Sequence, residues 1–204
     1  YLRNNPGWFG NAFLTGIAAI IPVVGGIAGQ GYLFEVVRYL NRKGDSSYPS
    51  FEFGRFGDYL GRGIWPVLAA LLVGIPLGVL AGILEAVLSM AIHSQAVSGV
   101  VVLFEIVAMF VMVPFSLYAG LSRSLALGAM FRFLQDFYKR VAVETIVGLI
   151  VVGLINFVLY FVGILACCVG IIPAIGLITL TSAHLFHQLY QLYLARGGQP
   201  VPVR

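Results

Sequence analysis

Long apolar runs alternate with short polar connections along the chain, and six of the runs are long enough to form helices. They cover residues 8–21, 24–41, 64–91, 97–120, 142–166 and 171–194. A helix needs about 20 residues to cross an apolar bilayer core of about 30 Å, and the last four runs reach that length. The run 8–21 extends only about 21 Å, so it is either a re-entrant segment or part of one helix with 24–41, kinked at Pro22. We predict an all-α integral membrane bundle of five to six transmembrane or re-entrant helices, with six favoured.

The basic residues fall on one side of this topology. The connections 41–63 and 121–141 carry four Lys or Arg residues each, whereas 91–96 and 166–170 carry none. Because positively charged loops are retained on the cytoplasmic side of a membrane, the pattern predicts a multi-pass protein whose basic loops and C-terminus are cytoplasmic.

Composition agrees with a single membrane domain over residues 1–204. Apolar residues make up 60% of the chain, charged residues 10%, and the mean hydropathy is +0.97, which is far from the values of soluble domains. The apolar runs are continuous, so helices are favoured over a β-barrel, whose strands alternate. The net charge of +4 comes without a basic patch interleaved with aromatic residues, so no nucleic-acid partner is expected. Tyr1 stands where Met would begin a complete chain, which indicates that upstream residues are missing.

An aromatic loop over residues 48–63 predicts a short amphipathic segment at the membrane interface. Phe53, Phe56 and Leu60 are spaced i, i+3 and i+7, which places them on one side of a helix, with charged residues elsewhere on the wheel. The glycines of this loop weaken the helix prediction.

One eight-residue pattern occurs twice. Residues 20–27 and 171–178 both read I-I-P-x-x-G-x-I, and each copy opens an apolar run that ends at a basic end. Proline suits the first turn of a helix, where its missing N–H is harmless. The repeat predicts related helical hairpins at the two ends of the chain around a central hairpin, unless the short match is fortuitous.

The order of motifs in the first third of the chain resembles the DUF4013 family of uncharacterised prokaryotic membrane proteins. The resemblance rests on Pro6-Gly7-Trp8, Thr15-Gly16-Ile17, Ile20-Ile21-Pro22, Gly31-Tyr32, Glu35-Val36-Val37-Arg38, Tyr48-Pro49-Ser50-Phe51-Glu52-Phe53, Phe56-Gly57-Asp58-Tyr59 and Arg62-Gly63. It implies a polytopic protein of a prokaryotic cytoplasmic (inner) membrane. The family has no established activity, so the resemblance leaves function open.

The central hairpin, residues 64–120, holds the sharpest candidate for chemistry. With a turn near Gln95, Glu85 and Glu105 lie at one depth of the membrane. Two carboxylates at one depth in a low dielectric share a proton, bind a cation or pair with a partner. The hypothesis is a proton or metal-cation site formed by Glu85 and Glu105, with His93 at its mouth. The alternative is that each carboxylate is a solitary polar contact.

Small residues follow one face of the first helix of this hairpin. Gly74, Gly78 and Gly82 are spaced four residues apart, and Glu85 continues the same face. Because G-x-x-x-G spacing lets helices approach closely, these glycines are predicted to pack against another helix.

His184 and His187 share a face of the last helix and are candidates for binding a haem, a chlorin or a metal. No third ligand follows from the spacing, and hydrogen bonding within the bundle is the alternative. No cofactor is therefore predicted. Two further charge pairs, Glu35 with Arg38 and Arg140 with Glu144, are predicted as local ion pairs within their helices.

These observations favour a non-enzymatic function. The sequence has no H-E-x-x-H, G-x-S-x-G or Walker motif. The first hypothesis is an accessory or structural subunit that packs, through lipid-embedded helices, with membrane-protein partners or with further copies of itself. A channel or transporter for a cation or small solute, centred on Glu85 and Glu105, is the alternative. An intramembrane enzyme or cofactor binder that uses His184 and His187 is the third.

Overall fold

The structure is a computed structural model that describes residues 7–44, 48–91, 96–166 and 169–202, apart from the side chains of 91, 96–98, 100, 101, 103 and 105. Within these ranges the chain forms six α-helices and no strand. The helices are α1 (Trp8–Ala19), α2 (Val24–Lys43), α3 (Phe56–Ala91), α4 (Ala96–Ser122), α5 (Leu127–Leu165) and α6 (Ile171–Ala195), and a 3₁₀ turn (Phe53–Arg55) precedes α3. Each predicted apolar run falls on one helix, which confirms the all-α prediction.

Among the described residues, three helices are long and apolar enough to cross a membrane. They are the stretch Phe53–Met90, which combines the 3₁₀ turn with α3, then Leu127–Leu165 and Ile171–Ala195. In α4, which has 27 residues, the apolar stretch Ile106–Ser122 lies within the described side chains. The 12 residues of α1 extend only about 18 Å. The surfaces of α3, α4 and α5 carry many exposed Leu, Ile, Val, Phe and Met side chains. A continuous apolar surface of this extent is unfavourable in water and suited to a bilayer.

The close approach of α2 to α3 depends on two glycines. A Cβ added at Gly31 would lie 1.8 Å from the carbonyl oxygen of Tyr59, and one added at Gly63 would lie 1.8 Å from that of Ile27. The two contacts are four residues apart on each helix and run in opposite order, as antiparallel helices require. Only glycine permits the two backbones to approach this closely.

The same arrangement joins α1 to α6, the first and last helices of the chain. A Cβ at Gly16 would lie 1.8 Å from the carbonyl oxygen of Ile172, and one at Gly176 would lie 1.9 Å from that of Ala12. Gly176 is the glycine of the repeated I-I-P-x-x-G-x-I pattern. A Cβ added at its counterpart Gly25 would lie 2.1 Å from the carbonyl oxygen of Ala18, so both glycines pack on the backbone of α1.

The loop before α3 differs from the predicted interfacial helix. Residues 56–63 form the first two turns of α3, and residues 48–52 are not helical. Phe53 is 45% exposed, while Phe56 and Leu60 are half-buried. The helix predicted in this loop is thus present from Phe53 onward and continues directly into α3, and its place at a membrane interface stays a prediction. A different set of aromatic side chains fixes the rest of the loop.

Those aromatic side chains are Tyr48, Phe51 and Tyr59, which are all buried. The Phe51 ring stacks on the Tyr59 ring at 5.0 Å, and both meet the ring of Tyr32 on α2. The hydroxyl of Tyr32 donates to the carbonyl oxygen of Pro49 at 2.9 Å. Burial raises the pKa of the Tyr48 hydroxyl above its ordinary value. The loop is thus a packed part of the core.

Helix α5 is longer than the predicted run 142–166. It begins at Leu127 and contains one non-helical residue, Val141 (φ −134°, ψ 26°), directly before the predicted start. The additional segment 127–140 buries Met130, Phe133 and Phe137, whose spacing follows one helical face. This segment is amphipathic and packs on the end of the bundle where the basic residues lie.

Candidate functional site

The face of α3 that carries Gly74, Gly78, Gly82 and Glu85 is largely uncovered. Gly78, Gly82 and Glu85 are exposed, and a Cβ built at Gly78 or Gly82 meets no atom within 4 Å. Gly74 lies at the edge of the contact with α4, where an added Cβ would be 3.1 Å from Cε of Met112. The half-buried residues of α3 that mark its side toward α4 are Val73, Leu77, Ala81, Leu84 and Leu88. The described part of the chain therefore packs beside this stripe and does not cover it.

Of the two glutamates proposed to form a shared site, the structure describes the side chain of Glu85 alone. Glu85 projects from the apolar half of α3, where the neighbouring large side chains Ile83 and Val87 are exposed as well. The side chain of Glu105 and all of His93 lie outside the described residues. The contact of Gly74 with α4 places the hairpin register within about one helical turn of the predicted one. A shared site of the two carboxylates stays a prediction.

The two histidines of α6 bond to separate polar partners. Nδ1 of His187 lies 2.6 Å from Oδ1 of Asn41 at the end of α2, and Gln191 donates to the same oxygen at 3.0 Å. Because an amide oxygen only accepts, the His187 ring donates through Nδ1. Nε2 of His184 lies 2.9 Å from Nε2 of Gln188, one turn along the helix. Among the described residues no group of three or more His, Cys, Asp or Glu side chains could hold a metal ion.

A buried ion-pair centre, which sequence reasoning missed, joins α2 to α3. Glu35 of α2 accepts from Nη1 of Arg62 at 2.9 Å and from Nη2 of Arg55 at 2.7 Å. The side chains of Glu35 and Arg62 are each 11% exposed. Arg55 also lies 3.8 Å from the exposed carboxylate of Asp58. Both carboxylate oxygens of Glu35 are thus bonded by arginines outside α2. The charge of Glu35 also acts on Arg38, and the predicted local pair of Glu35 with Arg38 stays a prediction.

Two further arginines adjoin this centre. The positive charges of Arg38, one turn along α2, and of Arg123, directly after α4, both act electrostatically on Arg62. Arg123 is one of two non-glycine residues with positive φ in the described ranges, at 51°. The Nε atoms of Arg62 and Arg123 are buried, and no hydrogen-bond acceptor for either occurs within the described parts of the chain. Arg38 and Arg123 thus lie near enough to Arg62 for their positive charges to act on it.

A second polar group joins α5, α6 and the C-terminal tail. The hydroxyl of Tyr193 donates to Oδ2 of Asp136 at 2.8 Å and accepts from the backbone N–H of Gln199 at 3.0 Å. Arg140 bonds Asp136 at 3.0 Å, and Arg196 pairs with Glu144. The predicted pair of Arg140 with Glu144 is therefore replaced by two others. These contacts fold residues 197–202 back over the end of the bundle.

Asn156 of α5, in the apolar region, lies 2.9 Å from Oγ1 of Thr181 on α6. Asn156 also lines a cavity of about 300 Å³, together with Ser116 and Ser182. Its role in the described structure is a polar contact between two helices.

Comparison with known protein families identifies a relationship for most of the chain. The model of the family described as a protein of unknown function (DUF4013) matches residues 14–168, which is about three quarters of the chain and extends well beyond the motifs of the first third. No curated protein and no solved structure matches the chain.

Proposed function

Because the chain belongs to the DUF4013 family, and because three of its helices are apolar enough to cross a membrane, we propose that it is a multi-pass protein of the prokaryotic cytoplasmic membrane. In this proposal it has no catalytic role. It acts as an accessory or structural subunit, and its uncovered α3 face packs against a helix of another membrane protein or of a second copy.

The observation that carries the proposal is the exposure of Glu85 beside Gly78 and Gly82. A charged side chain near the centre of a membrane helix is unfavourable by about 2.5–3.5 kcal/mol on insertion scales. A partner helix lying on the two glycines would approach α3 closely and could donate a hydrogen bond to the carboxyl group. The same contact would remove the carboxyl group of Glu85 from lipid and bury the exposed face of α3 at Gly78 and Gly82.

The distribution of basic residues at the helix ends supports a proposed orientation of the bundle in the membrane. The described basic residues lie where α2, α4 and α6 end and where α3 and α5 begin, which is one end of an antiparallel bundle. Retention of positive charge inside the cell would place this end in the cytoplasm. The uncovered half of α3 would then lie in the outer half of the bilayer.

Cross-linking in native membranes tests the proposal. In a background in which Cys167 and Cys168 are changed to Ser, Gly82→Cys is labelled with a maleimide that carries a benzophenone. On irradiation the benzophenone inserts into a C–H bond of a neighbouring chain, so a covalent adduct with the partner is expected. Gly153→Cys is the matched control, since Gly153 is also exposed in an apolar helix with no atom within 4 Å of an added Cβ. An adduct with twice the mass of the monomer would identify a second copy as the partner. An adduct with any other mass would identify a different subunit.

A bulky substitution gives the second readout. Gly82→Leu is expected to shift the complex to lower mass on native gels, whereas Gly153→Leu leaves it unchanged. A monomer in every detergent tried, with no adduct at position 82 in membranes, would refute the proposal.

A further inference from the structure

The arginine cluster of Arg38, Arg62 and Arg123 brings three positive charges together, and two of its N–H donors, on Arg62 and Arg123, find no acceptor in the described chain. The two oxygens of Glu35 bond to Arg62 and to Arg55. Neighbouring positive charges repel each other, so an anion among them would stabilise the cluster.

Two of these donors are buried as well as unsatisfied. The Nε–H groups of Arg62 and Arg123 are shielded from solvent and find no acceptor in the described ranges. A buried donor without an acceptor is destabilising, and such groups are rare in folded proteins unless a ligand or an ion supplies the partner. Guanidinium groups offer a planar fork of N–H donors, which matches the oxygens of a phosphate in two-point contacts.

Arg123 is held in place by a strained backbone. Its φ of 51° lies in the left-handed region, which is uncommon for residues other than glycine, asparagine and aspartate. Its N–H still bonds the carbonyl oxygen of Ala119 at 2.9 Å, so the strained residue closes the end of α4. Such strain persists where the surrounding structure fixes it and is concentrated at binding sites.

The arginine cluster also lies close to the border of the apolar surface, where lipid headgroups would be. Arg62 is three residues before Trp65 in α3, and the first exposed large apolar residue of this helix, Leu68, follows about 9 Å beyond Arg62. Tryptophan and the border of the apolar surface mark the headgroup layer of a membrane. We infer that Arg38, Arg62 and Arg123 form a binding site for a phosphate group, supplied either by an anionic lipid headgroup or by a soluble phosphate compound.

The full chain in neutral detergent, stripped of lipid, tests this inference in two arms. In the first, phosphatidylglycerol or phosphatidylcholine is added, and bound lipid is counted by native mass spectrometry. In the second, inorganic phosphate is titrated at low ionic strength and heat release is recorded. Wild type is compared with Arg123→Gln and with Arg132→Gln, which removes a basic residue from the exposed face of α5 away from the cluster.

Binding of phosphatidylglycerol alone would identify a lipid headgroup as the source, and binding of inorganic phosphate would identify a soluble one. In either case Arg123→Gln is expected to weaken binding about 10- to 100-fold, the effect of losing charged hydrogen bonds, and Arg132→Gln is expected to leave it unchanged. Circular dichroism checks that Arg123→Gln is folded, and Arg38→Gln replaces it if it is not. Absence of binding in both arms, or an equal loss in Arg132→Gln, would overturn the inference.

Discussion

Replacing Gly63 by alanine should separate α2 from α3. The added Cβ would lie 1.8 Å from the carbonyl oxygen of Ile27, whereas carbon and oxygen normally approach to about 3.3–3.6 Å. The helices would have to move apart by about 1.5 Å, and overpacking of this kind destabilises by about 1–3 kcal/mol. Alanine itself favours a helix over glycine by about 0.5–1 kcal/mol, so the net destabilisation is about 0–2.5 kcal/mol.

Gly61→Ala is a matched control two residues away in the same helix. Gly61 is exposed, and a Cβ there meets no atom within 4 Å, so this variant should be neutral or stabilised. The gain from alanine cancels between the two variants, and their difference isolates the overpacking. At about 2–4 °C per kcal/mol for a chain of this size, the apparent unfolding midpoints should differ by about 2–12 °C.

Thermal unfolding in one mild detergent measures this difference through the fluorescence of Trp8 and Trp65, the two tryptophans of the chain. Equal midpoints for Gly61→Ala and Gly63→Ala, or a higher midpoint for Gly63→Ala, would show that α2 and α3 do not approach through their backbones.

Three further substitutions have defined outcomes in the same assay or by proteolysis. Glu35→Gln leaves the buried guanidinium of Arg62 without its anion and should destabilise by about 3–5 kcal/mol; an unchanged midpoint would count against the ion-pair centre. Val23 is the middle residue of a strained γ-turn (φ 62°, ψ −59°), so Val23→Gly should raise the midpoint by about 2–4 °C, corresponding to about 1 kcal/mol, and a lower midpoint would contradict the turn. Tyr193→Phe removes the acceptor of the Gln199 N–H and should speed cleavage of the tail by added protease, whereas an unchanged rate would mean that other contacts hold the tail.

The length of the apolar runs was sufficient to predict where the long apolar helices lie. The start of α5 was not predicted, because its first part carries basic residues. The basic residues of 121–141 led to the prediction of a connection, although Met130, Phe133 and Phe137 already had helical spacing. The break at Val141 separates the amphipathic part from the apolar part, which explains why the apolar run alone begins at 142.

Glycine spacing did not identify the close contacts within the described chain, because a spacing does not show which face of a helix meets another helix of the same chain. Packing of Gly74, Gly78 and Gly82 against another helix stays a prediction. The regular stripe of Gly74, Gly78 and Gly82 faces outward, apart from its first member. The closest backbone contacts instead use glycines such as Gly31 and Gly63, which belong to no regular stripe. Their partners lie on a different helix, so only the tertiary structure identifies them.

The ion pairs were missed for a similar physical reason. Spacing of i, i+3 or i+4 reveals neighbours on one helix, but Arg62 bonds Glu35 across 27 residues and Arg196 bonds Glu144 across 52. A buried carboxylate gains most from a partner that approaches from another helix and also shields it from water. The basic loops could therefore be located in the sequence, while their contacts could not.

The proposed bundle spans a bilayer with its basic end toward the cytoplasm. Cysteine accessibility tests this orientation most directly. In a background without Cys167 and Cys168, Phe53→Cys and Arg132→Cys are treated with a membrane-impermeant maleimide in right-side-out and inside-out vesicles, and Val169→Cys is the control for the opposite end. The proposed orientation predicts labelling of positions 53 and 132 only in inside-out vesicles, and of position 169 only in right-side-out vesicles. Labelling of positions 53 and 132 from opposite sides of the membrane would contradict it.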